Sequence, residues 1–343
     1  MASTYPSPSP TTTTTTVDQS GAPKIAALHP DIIHTHILTR LDGPTLASAA
    51  CASSDLHALA SSDDLWRDIC AATWPSISHP WVTQLVSTFP AGHRSFYSDS
   101  FPALDHVISP DFFDPDRSKE LISAVDIYYR DRLVFSRVKE TETVSEWFHC
   151  SPFLVDLVDQ KESLPAPIKH VGEDQVWLKH LEENLTLSWI LIDPMGKRAA
   201  NLSSRRPVSV QRHWLTGEIQ FRFATIMNRC RSGEYVQCGM VVTCGGKEGG
   251  EMHVKEVSMH LEDMEGRHLN GKESLIVLGS AINGGKRKKF GNGEEGKERF
   301  EEYLEMKREW REKKQRRERA LDFVCILTGV SIFVSFWSFI LFR

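Results

Sequence analysis

The chain has 343 residues, 41% hydrophobic and 25% charged, with a net charge of −5. These values are ordinary for a globular protein long enough for two domains and accessory segments, and overall acidity argues against a general nucleic-acid binder. The charge is uneven: residues 1–285 carry 25 basic and 35 acidic side chains, residues 286–343 carry 15 and 10, so the basic excess gathers at one end.

Seven cysteines are scattered at 51, 70, 150, 230, 238, 244 and 325 with no C-x-x-C pair. That spacing speaks against a disulfide framework or structural zinc and for a reducing compartment. His34 and His36, two apart on a helix, face different ways and make no metal site.

Residues 1–22 are Ser, Thr and Pro with a run of six Thr, a low-complexity composition expected to be disordered. They lack the apolar core and basic start of a secretory signal. Residues 23–74 read as three short amphipathic helices. Pro30 and Asp31 suit a first helical turn. Ile33, Ile37, Leu38 and Leu41 recur at helical spacing, and Gly43-Pro44 stops that helix. Leu46, Ala49 and Ala50 form a narrower second stripe. Ser61 to Asp64 offer N-cap oxygens to a third helix carrying Leu65, Trp66, Ile69 and Cys70. Fewer than fifty residues bury too little apolar surface to be comfortable alone. Two uses for these side chains stay open: packing on the rest of the chain, or docking on another protein.

The order of residues here resembles the F-box. Leu28-His29-Pro30-Asp31, then Ile37-Leu38-Thr39-Arg40-Leu41, then Leu46 and Cys51, then Leu59-Ala60-Ser61 and Leu65-Trp66 follow that family's pattern. The basic residue and aromatic that often follow its Cys are missing from residues 52–56. The resemblance implies docking onto a Skp-type adaptor of a cullin–RING ubiquitin ligase. Leu28, Pro30, Ile33, Ile37, Leu38, Leu41, Leu46, Leu65 and Trp66 fall at adaptor-facing or core positions.

Residues 75–115 read as a connector. A helix is expected over His79 to Phe89 with Trp81, Leu85 and Val86 on one side, and Phe96, Tyr97 and Phe101 are expected to pack on the next domain. Residues 116–282 then change character. Leu121 to Tyr129 and Leu133 to Val138 flank Arg130-Asp131 as a hairpin. Leu185 to Asp193 runs into the turn Pro194-Met195-Gly196, with preset proline and permissive glycine. Strands follow at Arg198 to Leu202, Val208 to His213, Ile219 to Met227, Tyr235 to Cys244 and Met252 to Met264. In one of them Phe221, Phe223 and Thr225 alternate with Gln220, Arg222 and Ala224. Glu173 to Glu183 is the one expected helical insertion. Strands and turns this frequent imply an antiparallel β-sandwich-like domain. Its strand rhythm and aromatic placement, around Trp189, Asn201 to Arg206 and Trp214, resemble the phloem lectins that follow the F-box in some plant chains.

Residues 283–319 open as a Gly-rich linker with the basic tetrad Lys286 to Lys289 and continue as a charged juxtamembrane helix. Residues 294–305 hold six acids and two bases, residues 307–319 eight bases and three acids, an order that suits the helix dipole. Phe300, Tyr303, Leu304 and Trp310 are too sparse for a coiled coil. Phe323 to Phe342 are twenty residues without a charge, enough to span a hydrocarbon core of ~30 Å. Residues 320–342 are therefore read as a transmembrane helix, inserted after translation because only Arg343 lies beyond it. The basic flank places the bulk of the chain in the cytosol, at the endoplasmic reticulum or another tail-anchor destination rather than in the nucleus.

No catalytic constellation is present: no H-E-x-x-H, no G-x-S-x-G elbow and no complete phosphate loop. Gly245 to Gly250 lacks Ser or Thr after its Lys and reads as a hairpin loop. Arg205 and Arg206 offer an anion clamp and Trp214 a stacking surface for a ligand, while Trp147, Trp177 and Trp189 suit either a sugar site or a core. The sequons Asn184-Leu185-Thr186 and Asn201-Leu202-Ser203 matter only in a lumenal domain.

The sequence thus implies an α+β chain with a three-helix F-box, a β-sandwich-like domain and one C-terminal transmembrane helix. The expected role is substrate recognition for a Skp–cullin–F-box ligase at a membrane. Expected contacts are the adaptor, a protein substrate, and lipid through residues 320–342 and the basic residues 307–319, without cofactor, metal or nucleic acid. A membrane-tethered, lectin-like ligand binder without a ligase role is the alternative.

Overall fold

The computed structural model describes residues 29–104, 118–159, 161–169, 174–229, 234–246, 250–288 and 294–343. The Ser/Thr/Pro-rich residues 1–22, Leu28, Lys247 and Lys289 lie outside them. The chain divides into two compact units, residues 1–60 and 61–343.

In the first unit, helix α1 (Pro30–Ile32) runs on through a π turn (Ile33–Ile37) and a 3-10 turn (Leu38–Arg40). Such changes of pitch within one helical run are uncommon and often sit at functional positions. Gly43 and Pro44 do not end this run; they begin α2 (Gly43–Ala50), where Asp42 is the N-cap and its Oδ1 accepts from Thr45 N at 3.0 Å. Proline in a first turn loses no hydrogen bond. A helix the periodicity did not reveal, α3 (Ser54–Ala60), follows.

The second unit opens with α4 (Asp63–Thr73), α5 (Pro80–Ser87) and α6 (Gly92–Ser100). On α5 the buried side is Val82 and Val86, while Trp81 is exposed. Phe96 and Tyr97 are buried, with their rings against Trp66 and Trp74 of the helical region.

Two sheets follow. The first contains β1 (Ala103–Leu104), β2 (Glu120–Tyr129), β3 (Arg132–Glu142), β6 (Leu185–Asp193), β7 (Arg198–Asn201) and β12 (Arg287–Lys288), in the order β12-β1-β7-β6-β2-β3. The second contains β4 (Leu154–Asp156), β5 (Leu164–Lys169), β8 (Ser209–Arg212), β9 (Ile219–Arg229), β10 (Glu234–Gly245) and β11 (Glu251–Glu262). Its order is β4-β11-β10-β9-β8, with β5 also on β11. Pairing is antiparallel except between β1 and β7. β10 and β11 pair directly, so the glycine-rich stretch between them joins a hairpin.

Inward side chains of both sheets form one core, including Val125, Trp189 and Leu191 from the first and Phe221, Phe223, Met240 and Met259 from the second. Among the described residues the β domain holds three helices where one was expected: α7 (Glu146–Cys150), α8 (Asp174–Asn184) and α9 (Gly271–Gly284). Leu275, Leu278, Ala281 and Ile282 of α9 enter the same core. Asn270 caps it, accepting from Glu273 N at 2.8 Å. Asn-x-x-Glu before an apolar run is a start signal the sequence contained.

The turn after β6 differs from its expected form. The left-handed residue is Lys197 (φ 51°), not Gly196. A Cβ on Gly196 would lie 2.5 Å from Asp193 Oδ2, so glycine is needed there for close approach. The basic tetrad is no free loop either. Arg287 Nη2 donates to Ala199 O and Ile282 O at 3.0 Å, and Arg287 lies in strand β12.

Helix α10 (Glu294–Leu341) is 48 residues long and unbroken from the charged stretch through the apolar one.

Candidate functional site

Among the residues the sequence puts forward for adaptor contact, Ile33, Leu38 and Leu46 of the first unit are 6%, 1% and 0% exposed. They hold the helices rather than face a partner. Leu41 is half-buried, Pro30 is exposed, and Ile37 and its neighbour Ile32 are 39% and 45% exposed. The stripe therefore splits into an inward row and an outward apolar row, which spacing alone does not resolve. Ile32 was not singled out by spacing; an isoleucine beside a buried one is the signal that could have found it.

In the second unit Leu65 and Trp66 of α4 are buried, and the Trp66 ring lies 5.3 Å from that of Tyr97. Asp63 at the start of α4 does not cap its own helix. Its carboxylate accepts from His93 N at 2.7 Å and contacts His93 Nδ1 at 2.9 Å. Trp74, just past α4, packs on Phe96 and Tyr97. The next residues reach the first sheet. Buried Asp126 of β2 accepts from Ser76 N at 3.0 Å, Ser76 Oγ at 2.5 Å and Ser136 Oγ at 2.7 Å. Burial raises its pKa, against the opposing pull of these three bonds. Asp99 of α6 pairs with Arg198 of β7 at 2.7 Å. The turn after α4 and helix α6 are thus fastened to the first sheet by charge-assisted bonds, which are the stronger kind.

The three ligand candidates do not converge. Arg205, left-handed at φ 67°, lines a cleft with Trp74, Tyr128 and Asn201. Arg206 lines another with Glu182, Glu294 and Lys297. Trp214 is 86% exposed in the β8–β9 turn, stacked on His213. Trp177 and Trp189 are core residues and Trp147 is exposed, so the tryptophans line no common sugar site. Asn201 is buried, accepting from Trp189 N and Ser203 N. Its side chain is closed to modification in the folded chain.

Among the described residues, one His/Glu cluster has the spacing of a metal site: His260, Glu262 and His268 bring ligand atoms within 4.8 Å of one another. Lys307 Nζ already stands 3.7 Å from Glu262 Oε2 and supplies the positive charge there. The Glu262 carboxyl is held below its usual range by the His260 hydrogen bond first, then by nearby positive charge.

Helix α10 has two surfaces in series. Phe300 and Tyr303 are buried with Val208, Ala224 and Met264, and Trp310 packs beside them. They cover the outer face of β9, so Ala224 meets a helix rather than water. Lys297, Lys307 and Lys314 pair with Glu182, Glu262 and Glu265 at 2.5, 3.7 and 2.5 Å. Two of the eight basic residues meant for lipid are thus engaged by the β domain. Farther on, Phe323, Ile326, Val330, Phe333, Phe336 and Trp337 are all exposed. Thr328 and Ser331 turn their hydroxyls to Val324 O and Leu327 O at 2.8 Å, which satisfies them without water. This stretch is long and apolar enough to cross a membrane.

Comparison with known proteins adds sequence relationships to this geometry. The F-box-like family matches residues 30–72. The F-box protein At2g27310 of Arabidopsis thaliana is 46% identical over 340 residues, covering 95% of this chain and 99% of its own. The F-box protein At3g44326 of the same plant is 47% identical over 309 residues, 87% of this chain and 85% of its own. The probable F-box protein At2g36090 is 47% identical over 321 residues, 93% and 94% of the two chains. No solved structure matches the chain.

Proposed function

The chain belongs to the F-box proteins, and from that premise we propose that it is a substrate receptor that binds its adaptor through α1 and works from a membrane surface. Its family supports a role in Skp–cullin–F-box ligases, in which such chains recruit substrates rather than catalyse transfer. The finer assignment rests on one observation: Ile32 and Ile37 remain in solvent beside buried Ile33 and Leu38. Exposed apolar side chains in a row are costly unless a partner covers them. Pro30 and Leu41 extend the row. Leu46 of the same unit is buried.

The β-rich domain is the part that captures substrate. The apolar half of α10 is the anchor. Arg308, Arg311, Arg316, Arg317 and Arg319 flank it on one side, so the positive-inside rule keeps residues 1–319 in the cytosol. A lectin-like role has no comparable support, because Trp177 and Trp189 are core.

The test uses the full chain purified in detergent with a Skp-type adaptor. Ile32→Arg with Ile37→Arg is expected to lower adaptor affinity at least roughly tenfold, as loss of an interface anchor does, with the melting temperature unchanged. Undiminished binding by this variant would remove the α1 surface from the interface. Leu38→Ala with Trp66→Ala is a poorer test, since each truncation of a buried side chain costs about 2–5 kcal/mol of fold stability.

A further inference from the structure

The β2–β3 turn carries a basic group that nothing above uses. Strands β2 and β3 are joined by two residues, Arg130 and Asp131, both left-handed at φ 50° and 60°. Two-residue hairpin turns of this kind favour Asn-Gly, because other side chains strain there. Here an arginine holds the first position.

Its side chain is fixed. Arg130 Nη2 lies 2.7 Å from His180 Nε2, and the guanidinium stands 5.7 Å from the centre of the Tyr129 ring. Tyr129 Oη is 3.2 Å from the same His180 nitrogen. The Asn184 side-chain amide lies 2.6 Å from His180 Nδ1 and donates to His180 O at 2.8 Å. Among the described residues, no carboxylate pairs with Arg130 or Arg132.

These groups line a cleft of about 840 Å³, with Lys169 on β5 opposite and Trp177 at its wall. That volume falls in the usual range for pockets that take small organic ligands, roughly 300–1,000 Å³. The charge is one-sided. Among the described lining residues, Arg130, Arg132 and Lys169 face a single acid, Glu251, which lies 3.9 Å from Lys169 with both side chains more than half exposed. Such a pair is weak and easily displaced.

The cleft has a definite place in the fold. Lys169 and Glu251 are register partners at the start of β11, whereas Glu262 at its other end meets Lys307 of α10. Eleven steps of a strand separate the two ends by ~37 Å. The cleft is thus at the end of β11 remote from its contact with α10.

We propose that this cleft binds a small organic anion, a phosphate or carboxylate group joined to a ring, with Arg130 as its fixed cation. Arg132 and Lys169 close on the anion from the sides. The guanidinium fork suits two oxygens of either group, and holding it against His180 and Tyr129 before binding reduces the ordering cost.

The experiment is calorimetric titration of the full chain in detergent with phenyl phosphate, inorganic phosphate and benzyl alcohol. Phenyl phosphate is expected to bind measurably, inorganic phosphate severalfold more weakly, and benzyl alcohol not at all. Arg130→Asn, a residue that tolerates the left-handed backbone, is expected to weaken phenyl phosphate at least roughly tenfold. Lys169→Gln should weaken it less, and the remote Lys272→Gln not at all. Equal binding by wild type and Arg130→Asn, or no binding by the wild type, overturns the proposal. Adaptor capture by the same preparations reads the ligase role separately, and all three variants are expected to retain it.

Discussion

Helix α10 is one unbroken helix with two kinds of surface. Its first half buries Phe300, Tyr303 and Lys307, packs the first two against β9, and leaves mostly charged positions in solvent. Its second half is apolar on every side and touches nothing among the described residues. Backbone hydrogen bonding is the same in both. The contrast teaches that side-chain distribution, not helicity, decides which medium a helix suits. A stripe suits a protein face, and an all-round apolar surface suits lipid.

Deleting residues 323–343 is the largest break. It should move the protein from the membrane pellet to the soluble fraction and leave the melting temperature of the β domain within about a degree. That expectation follows because the deleted residues bury nothing in the fold; a large drop in melting temperature would mean the apolar half belongs to the core. Next comes Tyr303→Ala, expected to cost about 3–5 kcal/mol of stability by denaturant titration, as for other buried aromatics, with membrane association intact. Phe333→Asp reverses the pattern. It should weaken insertion by roughly 2.5–3.5 kcal/mol without changing the fold, measured by carbonate extraction of microsomes.

Glu262→Gln sharpens the docked half through pH. The folded Glu262 carboxyl is held below its ordinary value of 4.5. Its contribution is therefore present above that value and lost as pH falls through the folded one. The variant should be less stable than wild type by about 1–3 kcal/mol near pH 7, and the two melting curves should converge in strong acid. A constant difference from pH 7 down to pH 3 would refute the ionic role. The smallest effect is expected from Lys314→Ala. Its pair with Glu265 is more than a third exposed on the lysine side, so the loss should stay under about 1 kcal/mol.

These two halves also separate what was legible in the sequence from what was not. The apolar half needed only length and absence of charge. Strands with clean alternation, such as residues 219–227, were placed within a residue or two, and the hairpin at Arg130-Asp131 was read correctly. The docking of α10 was not legible, because Phe300 and Tyr303 are two residues in a charged helix and their partner Ala224 looks like a solvent-facing position. Helix α9 was missed because its apolar run is short and glycine-rich, although Asn270 and Glu273 marked its start. The anion cleft gathers residues 130, 132, 169 and 180 from three separate stretches, and no local spacing announces that. The apolar spacing over residues 33–41 was legible, but its sidedness was not. Ile33 and Ile37 are equally apolar, and only packing distinguishes the wall from the face.

The pairing of Lys314 with Glu265 has one more consequence. Among the described residues it is the ion pair of α10 with the β domain that lies farthest along the helix, and residue 320 follows six steps later, a rise of ~9 Å. With the apolar half in a bilayer, the β domain rides at a set height on a stiff mast instead of trailing on a slack leash. Encounters with targets then become a search in two dimensions, and effective concentration is set by stature: targets whose accessible segments stand at that height are sampled often, while those lying flat on the lipid or projecting far beyond it are passed over.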